Sequence, residues 1–280
     1  MKKLLTPLLI VIAALIGGTE VCRADDEARP VVSSYTLGVG SASLTDTYLT
    51  PLHYRGTTWQ ADYRRLQAAP FHPEKLTMKL GVNLDVAQTH NPAGHATMWE
   101  AMLTADWGVM RRWSLLPTLT LAIGGEVRLQ GGAFYNARNG NNPASAKAAA
   151  TIGLTGLASY TFRIGRLPIR AVYQPSLPAL GAFFSPEYGQ LYYEIYLGER
   201  RGLAHCAWWG NYFALDHLLA FDLQLGRTQL RLGYQGRYLS THVNRLSSTA
   251  SANLCVIGIT TEWLSLSPRK PSPIPLIHAY

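Results

Sequence analysis

Apolar and polar residues alternate along most of this chain in segments of about ten residues, the length of a membrane-crossing strand. Between Leu76 and Val86, the residues Leu76, Met78, Leu80, Val82, Leu84 and Val86 fall on one face, and Thr77, Lys79, Gly81, Asn83 and Asp85 on the other. Successive side chains of a strand point to opposite faces, so one side of this segment is oily and the other polar. The same period recurs in Leu119, Leu121, Ile123, Val127 and Leu129 against Thr120, Glu126 and Arg128. It returns in Leu219, Phe221, Leu223 and Leu225 against Asp222 and Gln224, and in Leu230, Leu232 and Tyr234 against Gln229, Arg231, Gln235 and Arg237. The pattern predicts strands near 34–45, 56–67, 76–88, 95–107, 116–129 and 147–162, then near 168–175, 190–198, 203–211, 216–225, 228–241 and 250–264.

No stretch after residue 24 is long and apolar enough for a membrane-spanning helix. Only helices and closed barrels satisfy the backbone inside lipid. The fold class expected is therefore all-β: a closed antiparallel transmembrane β-barrel of about twelve strands, with ten as the other count. Short periplasmic turns should alternate with longer external loops. The tight links at 163–166, 199–202 and 226–227 fall at even positions, and the long ones at 130–146, 175–189 and 242–249 at odd positions. Alternation alone leaves open which face points inward. A soluble exported barrel binding an apolar ligand would turn the oily face in. Lipid outside is favoured by the unbroken apolar faces and by Trp99 and Trp107, which share a face roughly 26 Å apart along one strand. That spacing is close to the apolar band between two aromatic girdles.

The chain begins Met1-Lys2-Lys3, is almost wholly apolar from Leu4 to Ile16, and passes through Cys22-Arg23-Ala24 into acidic residues. This is the layout of a secretory signal peptide over 1–24, cleaved after Ala24, leading to the outer membrane. The residues before Cys22 are too bulky for a lipid-anchor site. A lead-in at 25–33, a barrel at 34–265 and a proline-rich tail at 266–280 complete the division. Each proline of the tail lacks the donor that a ladder needs, so the tail reads as periplasmic. Cleavage lowers the formal charge from +8 to +6, with 22 basic side chains against 16 acidic ones. The excess is dispersed, which gives nucleic-acid binding no support and leaves outer-membrane lipids and the barrel-assembly machinery as the expected partners. Cys206 and Cys255 remain, enough for one bridge if their strands are neighbours.

Two segments carry a resemblance. One runs from Leu37-Gly38-Val39-Gly40 through Thr45-Asp46-Thr47-Tyr48-Leu49-Thr50-Pro51-Leu52-His53-Tyr54-Arg55-Gly56, and the other is Phe184-Ser185-Pro186-Glu187-Tyr188-Gly189-Gln190-Leu191-Tyr192-Tyr193-Glu194-Ile195. They resemble the bacterial family known as domain of unknown function 3316. The resemblance implies an exported β-barrel of unknown activity and adds no chemistry.

The residues themselves offer little catalysis. His205-Cys206-Ala207 invites comparison with outer-membrane phospholipase A, which sets a serine two residues after its histidine, but Ala207 has no hydroxyl to act as nucleophile. His53 has no obvious serine at strand spacing either. No metal or cofactor motif is present, and no cofactor is expected. Asp46, Tyr48, His53, Tyr54, Arg55, Ser185, Glu187, Tyr192 and Glu194 form a candidate pocket or structural cap at the barrel mouth. Glu194 is expected on a strand, facing the lumen with Tyr192 and Tyr196. Lys79, Asp85, Glu126, Arg128, Arg170, Asp222, Arg231 and Arg237 are expected to charge the lumen. The function expected is a non-catalytic narrow pore, binding or structural envelope protein, with a barrel-mouth enzyme acting on lipid as the alternative.

Sequencing the exported protein from its N-terminus should give Asp25. The folded protein should migrate differently on a gel before and after boiling. Retention of Met1, or a single unchanged band, would contradict the export and barrel readings respectively.

Overall fold

A computed structural model describes residues 29–140, 142–226, 228–263 and 279. The expected signal peptide and most of the expected tail lie outside the described residues. The strands are β1 (Val31–Asp46), β2 (Thr50–Ala68), β3 (Leu76–His90), β4 (Thr97–Leu116), β5 (Leu119–Asn136), β6 (Ala144–Ile164) and β7 (Leu167–Phe184). A one-turn helix α1 (Tyr192–Leu197) precedes β8 (Ala204–Trp208), β9 (Tyr212–Leu225), β10 (Thr228–Val243) and β11 (Leu246–Trp263).

Each strand from β1 to β7 pairs antiparallel with the next, β7 pairs with β9, and β9, β10 and β11 follow in turn until β11 pairs with β1. The result is a closed ten-stranded barrel. Its last strand meets its first over sixteen residue pairs, from Val31↔Trp263 to Asp46↔Ser248. Closure removes the unpaired edges that an open sheet would present. The eleventh strand, β8, lies outside this circuit and pairs only with the end of β7, from Leu180↔Trp208 to Phe184↔Ala204.

Ten strands rather than twelve close the barrel for two local reasons. Residues 190–198 are not a strand. The Glu194 carboxylate accepts the Leu191 amide at 2.8 Å, and Gly198 takes the left-handed conformation (φ 116°) that ends a helix. Residues 203–211 yield only the short β8, because Trp208-Trp209-Gly210-Asn211 turns back on itself, with Asn211 Oδ1 accepting the Trp208 amide at 3.0 Å.

Several expected loops are also wall. β7 runs through the expected link at 175–189, with Pro175 and Pro178 in it. Pro175 lies next to the end of the β9 ladder, at Ser176↔Asp216, and Pro178 faces Gly153 at the register shift in the ladder with β6, irregular places where a strand tolerates a missing donor. The 242–249 link shrinks to a two-residue turn in which Asn244 (φ 54°) and Arg245 (φ 62°) both have the positive φ that tight hairpins require. β1 begins at Val31, inside the expected lead-in.

Facing is settled by exposure. Along β3, Thr77, Lys79, Asn83 and Asp85 are buried, while Leu84 is 47% exposed. Trp99 (41%), Trp107 (47%), Ile123, Val127, Leu129, Leu232 and Ile257 all lie on the outer face. The barrel is oily outside and polar within, which excludes the soluble barrel with an apolar interior. Outward charges gather near the rims: Arg55 at the end that carries the β1–β2 turn, and Arg65 and Arg111 at the opposite end. His217 departs from this pattern, lying between the rings of Tyr173 and Tyr234. Cys206 and Cys255 are exposed and free.

Replacing Leu121 or Leu232 by Arg should cost about 2–4 kcal/mol of stability in a bilayer, because the cation would face hydrocarbon. Denaturant unfolding in vesicles measures this. A neutral effect would contradict the assigned facing.

Candidate functional site

The lumen is filled by its own side chains. On β3, Lys79 Nζ lies 2.7 Å from Glu126 Oε2 of β5 and 3.1 Å from Asp106 Oδ2 of β4. Glu126 also faces Arg128 Nη2 at 3.5 Å, and Arg128 pairs in turn with Asp216 of β9. Asp216 approaches Arg237 Nε of β10 at 3.6 Å, and Arg237 pairs with Asp85 back on β3. Asn83 joins this circuit to a second pair, Asp62 and Arg64, whose Nε lies 3.0 Å from the carboxylate. Nearer the β9–β10 turn, Arg231 grips Asp222 through two 2.7 Å bonds, and Arg170 stands opposite Asp222 in register. All the expected lumen charges thus line the interior. Asp62, Arg64, Asp106 and Asp216 join them. Seven carboxylates, Asp62, Asp85, Glu100, Asp106, Glu126, Asp216 and Asp222, stand among the six cations Arg64, Lys79, Arg128, Arg170, Arg231 and Arg237, and Glu100 of β4 lines the same small cavity as Asp85, Arg128 and Arg237.

A charge removed from water must be paired, and removing one partner of such a pair typically costs about 3–5 kcal/mol. Cavities among these side chains measure only about 30 Å³ each. Larger hollows of about 640 and 900 Å³ lie on the outer face, over the small residues Ala148, Ala150 and Ala182 and over Ala61 and Gly258.

Above the ion pairs sits the mouth, and here the two segments of family resemblance meet. The Tyr48 hydroxyl, on the β1–β2 turn, donates to the Gln190 carbonyl at 2.7 Å, and its ring meets that of Tyr192 edge-on at 5.8 Å. Tyr192 on α1 accepts the Ala146 amide of β6 at 2.6 Å. Asp46 accepts the Tyr48 amide and lies 2.8 Å from Lys147 Nζ, which sits 5.0 Å over the Phe134 ring. Tyr54 is buried in the same wall and accepts from Asn136 Nδ2 at 3.1 Å. Asn244 ties the β10–β11 hairpin to the Pro186 and Gly202 carbonyls of the long loop. The 185–203 loop is thereby fastened across the mouth. A cavity of about 30 Å³ remains beneath it, beside Asp46, Tyr48, Lys147, Ser185 and Tyr212.

Four of the nine mouth candidates therefore stand apart from this cluster. Glu187 and Glu194 are exposed on the loop and helix, and Glu194 serves the helix start rather than the lumen. His53 and Arg55 point outward from β2, where odd-numbered positions face away from the interior. His53 is held between Ser43 Oγ (2.7 Å from Nε2) and Thr45 Oγ1 (2.7 Å from Nδ1), both on β1. A search for serine along the same strand misses this neighbour, because the pairing crosses strands. His205 Nε2 meets the Ser185 carbonyl and the Asn244 amide, each at 3.2 Å, rather than a hydroxyl. Among the described residues, no group of three or more His, Cys, Asp or Glu is placed to hold a metal.

The family model of proteins of unknown function, DUF3316, matches residues 4–270. The chain belongs to that family. No curated protein matches the sequence. Among solved structures, the fold is similar to the transport unit of the autotransporter AIDA-I from Escherichia coli, with TM-score 0.46, 8% identity, and coverage of 92% of this chain and 97% of that one. It is also similar to the outer membrane protease OmpT from Escherichia coli, with TM-score 0.43, 8% identity, and coverage of 88% and 100%. A third is the COG4313 outer membrane channel from Pseudomonas putida F1, with TM-score 0.35, 11% identity, and coverage of 87% and 100%.

Burial, with Tyr192, Asp46 and Glu194 nearby, pushes the Tyr48 phenol well above its usual 10.0. A raised phenol stabilises the docked loop fully below pH 10.0, and that contribution is lost as pH rises further. Tyr48→Phe should remove the bond to Gln190 and weaken the loop by about 0.5–1.5 kcal/mol. Trypsin cleavage at the exposed Arg200 and Arg201 should then quicken while the barrel stays intact. An unchanged cleavage rate would show that Tyr48 does not hold the loop.

Proposed function

We propose that this protein is an integral outer-membrane β-barrel with a filled lumen, serving a binding or structural role at the envelope rather than passage or catalysis. The observation that carries this reading is the interlocked set of lumen ion pairs with cavities of only about 30 Å³ between them. A conducting pore needs a continuous wet path, whereas here cations and carboxylates reach across the interior to each other. The oily belt outside suits a bilayer, and the export-type N-terminus suits the outer membrane. Lipids of that membrane and the barrel-assembly machinery are the partners that follow. What the protein offers to the outside is its mouth, where the 185–203 loop is fastened by Tyr48, Tyr192 and Asn244.

Purified protein in planar bilayers should give no discrete conductance steps. Stepwise currents from the unmodified chain would overturn the filled-lumen reading.

One contact favours a second reading, a lipid-modifying enzyme. Ser43 and His53 place a hydroxyl beside a base on the outer face, near Arg55. Against it, the other ring nitrogen meets the Thr45 hydroxyl instead of a carboxylate, and a similar pair recurs in His242 and Ser247 at 2.8 Å. Incubation with outer-membrane phospholipids should release no fatty acid. Release abolished by both Ser43→Ala and His53→Ala, in chains that keep their heat-dependent mobility, would establish the enzyme instead.

A further inference from the structure

The end of the barrel opposite the mouth has an interior of different character. Val32 of β1, Leu66 of β2, Met110 of β4, Ala122 of β5, Leu157 of β6 and Val172 of β7 form a single buried apolar cluster. All occupy the register that elsewhere carries the lumen's polar and charged groups: Thr36 on β1, Asp62 and Arg64 on β2, Asp106 on β4, Glu126 on β5, Thr155 on β6 and Gln174 on β7. An apolar ring at a barrel's end meets water, at a cost, unless something covers it. What occupies it is part of the chain itself. Ala279 belongs to the same cluster and is 0% exposed, and its carbonyl accepts the buried Thr77 hydroxyl of β3 at 3.0 Å.

We propose that this ring is a socket that holds Ala279 at the end of the barrel where β1 begins and β11 finishes. The connectivity allows it with length to spare. β11 ends at Trp263, paired with Val31 next to the ring, and the stretch from there to Ala279 spans up to about 50 Å if extended. The socket selects by size and polarity. A methyl side chain fits among Leu66, Met110 and Leu157, and the backbone carbonyl finds its donor in Thr77. A larger or charged side chain at position 279 would leave the ring or force it apart. The tail, read from the sequence as periplasmic, is thus held inside the barrel at Ala279. This seating involves none of the lumen ion pairs.

The test uses the full chain with Cys206→Ser and Cys255→Ser, so that a single new cysteine reports. Ala279→Cys in the folded, detergent-solubilised protein should react with a bulky maleimide at least about tenfold more slowly than in the same chain unfolded by boiling in SDS. Adding Leu157→Asp should restore fast labelling in a barrel that keeps its heat-dependent mobility. A parallel chain carrying Thr77→Cys and Ala279→Cys should form an intrachain bridge under a mild oxidant. Labelling of Ala279→Cys in the folded barrel at the unfolded rate would overturn the socket. Because labelling is read in detergent, it holds or fails independently of membrane location and conductance.

Discussion

Lys79 reaches from β3 to Glu126 on β5 and Asp106 on β4, and this three-way contact stands for the constraint that governs the whole molecule. Strand alternation commits every second side chain to the interior once the sheet closes. In a barrel of ten strands those side chains come close enough to touch across the lumen. The charges placed there cannot all be hydrated, so each must find a partner of opposite sign. The outer face obeys the complementary demand. Turned to lipid on the proposed reading, it is oily over its middle and keeps its charges near the rims.

Apolar clusters and ion pairs share the interior: Leu44, Tyr54, Met98 and Phe134 lie under the mouth, the ring around Ala279 at the opposite end, and Leu218, Ala220, Leu254 and Val256 on β9 and β11 between the Asp216 and Asp222 pairs. Apolar neighbours limit water access to the charges and strengthen their mutual attraction. The mouth loop covers one end of this core, and Ala279 sits in the apolar ring at the other.

Much of this was legible in the sequence, for a definite reason. Period-two alternation survives in strands such as β3 and β5 because lipid outside and partners inside both penalise a residue on the wrong face. Ten of the twelve expected strands therefore form the barrel wall, and all the expected lumen charges face inward. Less legible was whatever depends on neighbours across strands. Asp106 sits between Ala105 and Trp107, and Arg64 beside Arg65, so neither announces its facing alone. The Ser43–His53 contact is set by the β1–β2 register, which no spacing along one strand reveals. At 190–198, Tyr192, Glu194 and Tyr196 fit a two-residue period, but Glu194 at the start and Gly198 at the end make local capping win. The mouth candidates divide likewise: Asp46, Tyr48, Tyr54, Ser185 and Tyr192 gather, whereas His53 and Arg55 lie one residue either side of inward Tyr54 and so face out.

The claim that paired charges hold this interior together is tested most directly by unfolding Glu126→Gln alone and combined with Lys79→Met. Neutralising Glu126 leaves Lys79 and Arg128 short of a counter-charge. The single variant should lose about 3–5 kcal/mol, and the double variant should recover a substantial part of it. A single variant within about 0.5 kcal/mol of the parent, which is the usual scale of a surface substitution, would contradict the account.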